Sequence, residues 1–302
     1  MGAFQGRLVS ASALWPGSLV LRAFLLLPIV FLAAFLIVPL GLMVAVSFWQ
    51  RAGLFIRPAL VFTSYVTFFD SVRFAILERS LLVSLEATCL NLLIAYPIGY
   101  FLAFKARSGT TRVVLLLFTV PFLVNYIIRT FAWTYLLGRT GPVNSLLIAV
   151  GLVDRPLDWL LYSDFAVLVG LVTSYMPFMI FPIWLSLAGI ERPLIQASWV
   201  LGAPPVRTFL NVTLPLSLPG VFAAVIFGFV GSFGDSAVPV IMGGVGYQLM
   251  GNTITSSMDV LNYPLAAAMS TVVVLAMTIL LLGWYVAFDM RSFLGKILDW
   301  RA

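Results

Sequence analysis

The sequence predicts an all-α membrane protein with six transmembrane helices, and three observations carry that prediction. Only 9% of the 302 residues are charged and 62% are hydrophobic, whereas a soluble domain carries about 25% charged residues. The mean hydropathy is +1.10. Six apolar stretches are long enough to cross a hydrocarbon layer of roughly 30 Å, which takes about 20 residues. A soluble enzyme is excluded, because so little polar surface cannot cover a core in water. Histidine is absent and Cys89 is the single cysteine, which excludes Cys/His zinc sites, histidine-dependent triads and disulfides within the chain.

Taken in order, the first span covers residues 23–50, a run of 28 residues without charge. That is too long for the apolar region of a signal peptide, so a retained helix is expected behind a cytoplasmic segment of residues 1–22. The second span covers 87–104 and extends backwards past Glu86 to Ser80. The third, 113–138, is interrupted only by Arg129, a cost the bilayer tolerates. The fourth, fifth and sixth cover 165–190, 208–234 and 260–288, and residues 291–302 form a tail. Residues 76–290 thus make a five-helix domain after the first span. Residues 236–258 lack charge but hold Gly243, Gly244, Gly246 and Gly251 with Asn252, Thr253, Thr255, Ser256 and Ser257, the composition of a loop.

Charge fixes the orientation. With both termini cytoplasmic, the inner segments hold Arg7, Arg22, Lys105, Arg107, Arg112, Arg192, Arg207, Arg291, Lys296 and Arg301, against six outer arginines: Arg51, Arg57, Arg73, Arg79, Arg139 and Arg155. This is the positive-inside pattern. The net charge of +6 is therefore a topology signal. No basic cluster with interleaved aromatics points to nucleic acid.

The most informative segment is the inner loop 190–216 between spans four and five. Pro193 suits the first turn of a short helix, Ile195, Trp199 and Val200 recur at helical spacing, and Pro204 with Pro205 stops it. The result is an amphipathic surface helix with an exposed Trp199 and small residues at Ala197, Ser198, Gly202 and Ala203, a shape suited to docking another protein.

This loop resembles the cytoplasmic signature of permease subunits from bacterial ATP-binding-cassette importers: E-A-A, three residues, G, nine residues, I, one residue, L-P. The positions fall at Gln196, Ala197, Ser198, Gly202, Val212, Leu214 and Pro215 with both intervals intact. Gln196 stands where the family has an acid and Ser198 where it has a second alanine, so the charge of Glu is lost while its length is kept. Residues 125–133 (NYIIRTFAW) with Gly141-Pro142-Val143-Asn144, residues 234–239 (GDSAVP), and Tyr263-Pro264-Leu265-Ala266-Ala267-Ala268 resemble the spermidine/putrescine permeases, first-permease type. The resemblance implies a type I permease fold whose inner loop is a coupling helix seated in an ATPase. It also implies a bacterial inner-membrane assembly with two ATPase subunits carrying ATP and Mg, a second homologous permease and an extracytoplasmic solute-binding protein. Related permeases move opines, iron(III) and other small solutes. The chain itself has no phosphate-binding G-x-x-x-x-G-K-[S/T] loop, so no cofactor is expected on it.

Charges inside the membrane mark the candidate solute path. Counting 1.5 Å per residue, Glu86 and Arg129 each lie roughly 12 Å from the outer face and are expected to pair or share a cavity. Asp235, beside Gly231, Gly234 and Pro239, is expected to attract a cation together with Glu86 and the faces of Tyr126, Trp133 or Tyr175 through charge and cation–π contacts, or else to dock the binding protein or cap a helix N-terminus. Small residues of span five, Gly220, Ala223, Ala224, Gly228 and Gly231, permit close packing within the bundle or against a partner permease. Two other classes fit less well. An ion-coupled secondary transporter needs relay residues at the midplane and more spans. An intramembrane hydrolase needs a nucleophile or metal motif that this chain lacks.

Overall fold

The computed structural model describes residues 18–53 and 55–287, so most of the expected cytoplasmic N-terminal segment and all of the tail 291–302 lie outside the described residues. The first long helix, α1 (Ser18–Ser47), carries Pro28 and Pro39 and over residues 26–45 exposes nearly all its apolar side chains, including Leu27, Phe35 and Leu36. A helix apolar all round, with little of it buried, suits lipid. After it come an unexpected short antiparallel hairpin, β1 (Gln50–Ala52) with β2 (Phe55–Arg57), and the short α2 (Thr63–Phe68).

The core is built by α3 (Ser71–Tyr100), α7 (Asp164–Ala188) and α10 (Leu214–Gly234), which pack along their lengths. Glycine makes the α7–α10 approach possible. A Cβ at Gly220 would lie 2.4 Å from the Pro182 carbonyl oxygen, one at Gly228 2.5 Å from the Met179 sulfur, and one at Gly231 2.2 Å from the Tyr175 ring. The small-residue stripe of span five is thus consumed inside this chain, the first of its two expected uses. The last span, α13 (Tyr263–Ala287), packs against α1, α2 and α12 (Met250–Asp259).

Four of the remaining spans stand as single helices or helices with short extensions, but the third does not. It is broken into α4 (Ser108–Leu123) and α5 (Tyr126–Leu137). The apolar stretches Ser108–Pro121 and Tyr126–Ala149 meet at 94°. Asn125 makes the break: its side chain accepts a hydrogen bond from the Ile127 N–H at 2.9 Å and starts a new helix. Arg129 therefore sits in the first turns of a reoriented helix rather than in the middle of a straight span, and its depth cannot be counted along one axis. The helix α6 (Pro142–Ala149) follows, pinned by buried Asn144, which accepts from the Leu157 N–H at 2.7 Å and donates to the Gly138 carbonyl at 3.0 Å.

Residues 236–258 are also not simply a loop. They form α11 (Ala237–Met242) and α12, joined by a turn in which Gly244 and Gly246 have positive φ. The polar residues that read as loop bond their own helix: Asn252 accepts from the Leu249 N–H at 2.7 Å, and Thr253, Thr255, Ser256 and Ser257 donate to carbonyls four residues earlier.

Candidate functional site

Two places in the structure collect the residues singled out above. The first is the loop 190–216, where α8 (Arg192–Val200) buries no residue at all. Gln196, Ala197, Trp199 and Val200 are exposed, with Trp199 at 56% and Val200 at 88%. Leu194 and Leu201 extend this apolar surface. Such a face on a short helix is stable only through its neighbours. Those neighbours are held by Ser198, whose hydroxyl donates to the Ile195 carbonyl and lies 2.8 Å from that of Thr208 in α9 (Pro205–Thr208). The serine that departs from the family pattern thus ties α8 to the helix behind it. Gly202 turns the chain at φ +79° with nothing within 4 Å of an added Cβ. Its requirement is backbone conformation rather than space. The Ala203 N–H closes the turn on the Ser198 carbonyl at 3.0 Å.

From Thr208 the chain continues through a π-helical turn, Phe209–Thr213, into α10, so that Leu214 is half-buried and Pro215 exposed at the start of the long helix. A second π turn, Phe101–Lys105, ends α3, and the Phe209 ring packs edge-on to Tyr96 and Tyr100 between them. Residues 205–234 thus run as one apolar rod of 30 residues, about 45 Å long at 1.5 Å per residue.

At the far end of that rod stands the second place. Asp235 is only 5% exposed. Its Oδ1 accepts from the N–H groups of Ala237 and Val238 at 3.0 and 2.9 Å, which caps α11. Its Oδ2 accepts from the hydroxyls of Tyr126 and Tyr175, the latter at 3.1 Å. One carboxylate therefore ties together the first turn of α5, the middle of α7 and the α10–α11 junction. Around it lies a cavity of about 760 Å³ lined also by Asn125, Arg129, Ser174 and Phe178. Arg129 places its guanidinium carbon 5.6 Å from the Tyr126 ring centroid and donates from Nη1 to the Pro121 carbonyl at 3.1 Å.

Of the expected path residues, Tyr126, Arg129, Tyr175 and Asp235 come together here. Glu86 does not. It is exposed on α3, outside the face formed by Val83, Ala87, Asn91 and Ala95 that packs in the core, and it forms no ion pair with Arg129. The expected pairing fails because the break at Asn125 redirects α5. Trp133 packs half-buried against the cluster of Val167, Leu171 and Val238 rather than lining the cavity. Asp235 itself has all four acceptor directions filled, so any cation reaches it through charge rather than by a free oxygen.

The sequence also missed a clamp at the start of α7. Arg79 and the Tyr247 hydroxyl both donate to Asp164 Oδ1, at 2.8 and 2.6 Å, and the Arg79 guanidinium lies 4.2 Å from the Tyr247 ring centroid. Burial, and then the bond to Asp164, push the Tyr247 hydroxyl above the usual phenol range. This contact joins α3, α7 and the glycine turn before α12.

Comparison with known proteins bears on both places. A family described as binding-protein-dependent transport system inner membrane component matches residues 94–293. The spermidine/putrescine transport system permease protein PotB of Escherichia coli is 30% identical over 256 residues, covering 84% of this chain and 92% of that one. Its namesake in Haemophilus influenzae is 31% identical over 253 residues, 83% and 88% of the two chains. The inner membrane ABC transporter permease protein YdcU of Escherichia coli is 30% identical over 249 residues, 78% and 77% of the two chains. Among solved structures, a chain of a bacterial alginate ABC transporter, in complex with alginate pentasaccharide-bound periplasmic protein, superposes with TM-score 0.68 at 16% identity. The match covers 87% of this chain and 92% of that one, a likeness of fold.

Proposed function

We propose that this chain, which belongs to the family of binding-protein-dependent transport system inner membrane components, is the first-type permease subunit of an ATP-driven importer for a polyamine of the spermidine/putrescine kind. The single observation that carries the substrate class is the 30–31% identity with PotB proteins across more than four-fifths of the chain. The type I permease fold and a multi-pass inner-membrane location go with the family and with the apolar helices.

In this reading the assembly holds two permeases, two ATPase subunits that bind ATP and Mg, and an extracytoplasmic solute-binding protein. Both termini lie in the cytoplasm, which puts α8 on the same side as the ATPases. The exposed apolar surface of Leu194, Trp199, Val200 and Leu201 docks in the ATPase. Gln196, exposed beside it, offers a neutral amide at the position where the loop signature it resembles has an acid. Closure of the ATPase pair moves α8, and the Ser198–Thr208 contact passes that movement to the rod 205–234. The rod ends at Asp235, so the stroke is delivered to the carboxylate that holds α5 and α7 around the cavity. Transport is thus a change in how the first turn of α5, the middle of α7 and the α10–α11 junction meet at one acid.

Uptake of labelled putrescine and spermidine tests this in cells stripped of their own polyamine importers and given the full gene set. The proposal requires saturable uptake that stops when ATP is depleted and when the binding protein is left out. Uptake of an opine or of iron(III) under the same conditions, without polyamine uptake, would replace the substrate class and leave the subunit assignment standing.

A further inference from the structure

The cavity around Asp235 presents its interior with acceptors and π faces. Tyr126 and Tyr175 both commit their hydroxyl protons to the carboxylate, so each phenol oxygen has only lone pairs left to offer a guest. Hydrogen bonding to a buried carboxylate polarises those oxygens and makes them better acceptors. Aromatic faces with a negative charge behind them are the lining that an organic cation finds favourable.

A cation from the chain itself already stands there. Arg129 lines the same cavity and lies over Tyr126, yet among the described residues its Nε is buried without a partner and Nη1 alone bonds the protein, at the Pro121 carbonyl. A guanidinium has five donors and normally fills them when it serves as a structural tie. Here it is held chiefly by the surroundings that suit a positive charge. Its one bond goes to the last turn of α4, across the break from its own helix.

We propose that Arg129 is a built-in cation occupying a site for an alkylammonium or guanidinium group, and that the solute's ammonium displaces it from the Tyr126 face during passage. Displacement frees the Pro121 carbonyl and unpins the break between α4 and α5, which links occupancy of the site to the angle between those helices. The identity of the solute rests on the polyamine reading above; the chemistry of the site does not.

The test is thermal unfolding of the chain purified with its accompanying subunits, titrated with methylguanidinium chloride and separately with putrescine, with sodium chloride at matched ionic strength as the control. Arg129→Ala vacates the site, so methylguanidinium should stabilise it saturably with a dissociation constant about tenfold below that of the wild type. Adding Asp235→Asn should abolish that gain. If Arg129→Ala does not fold, Arg129→Gln, which keeps a donor for Pro121, decides by the same titration. No saturable stabilisation in either variant, or the same affinity in wild type and variants, overturns the proposal. Polyamine uptake that persists beside such a result would spare the substrate reading. Conversely, methylguanidinium binding in the variants, with putrescine inert and no polyamine uptake in cells, supports the tethered-cation site and removes the polyamine reading.

Discussion

Asp235 serves three partners at once, and its replacement separates charge from shape. In Asp235→Asn the side-chain amide nitrogen cannot accept the hydrogen bonds that one oxygen now takes from the two tyrosine hydroxyls or from the α11 N–H groups. Hydrogen bonds to a charged group are worth about 1.5–3 kcal/mol each, so the expected loss is at least about 2 kcal/mol, seen as a lower midpoint in thermal unfolding of the purified assembly. Tyr175→Phe removes one donor and should cost about half as much. These polar residues were legible in the sequence because an acid, an arginine and tyrosines stand out in apolar stretches. Their grouping was only partly legible. Counting depth paired Arg129 with Glu86, but such counting assumes straight helices and says nothing about which face a residue takes. On α3, apolar residues occupy every face, so no periodicity marked Glu86 as lying outside the packed side.

At the scale of elements, the decisive joints are where helices bend or touch. Gly220 faces the Pro182 carbonyl at a distance that no side chain fits, 2.4 Å from an ideal Cβ, with the Ser186 Cβ equally near. Gly220→Val must push α10 away from α7, and overpacking of this kind costs about 1–3 kcal/mol; loss of assembled protein on size-exclusion chromatography reads it out. Ser198→Ala removes the hydroxyl contact between α8 and α9, worth about 1 kcal/mol. It leaves the buried core intact, so ATP hydrolysis should respond less to the loaded binding protein while the unfolding midpoint stays nearly unchanged. An equal fall in both would show that the serine serves stability alone. The inner loop was the most legible element, since prolines and a glycine at fixed spacing dictate a short capped helix. The break at Asn125 was signalled by Pro121 and an N-capping residue four positions on, but an uninterrupted hydropathy pattern concealed it. The two π turns and the β1–β2 hairpin leave no periodic signature, and α12 was hidden because its serines and threonines bond their own backbone.

Across the whole molecule, the arrangement places the exposed helix α8, proposed as the docking helix, at one end of a continuous rod and a buried acid at the other. The exposed faces match that role. Residues 26–45 of α1 and most of α4 are uncovered within this chain, with Leu116, Leu117 and Leu123 each more than half exposed. Lipid or a partner permease must cover them in the membrane, because apolar helix surface of this extent is unstable in water. Five of the six expected crossings stand as long apolar helices, and the sixth is reached only by counting the bent pair α4–α5 as one span; such runs were legible from composition and length alone, since an apolar run of about 20 residues has few alternatives. The tertiary angles were not, because packing inside a bilayer depends on shape rather than on hydrophobic contrast.

The most direct measurement of the central claim is affinity purification of the tagged chain from its own membranes in mild detergent, followed by identification of what accompanies it and assay of ATP hydrolysis. The account predicts recovery of a P-loop ATPase and a second permease, with hydrolysis stimulated by the loaded binding protein, and loss of the ATPase on Gly202→Glu, which strains the turn at φ +79° and sets an acid beside the docking surface. A stable complex free of any ATPase, or one that keeps it in Gly202→Glu, would contradict the account at its centre.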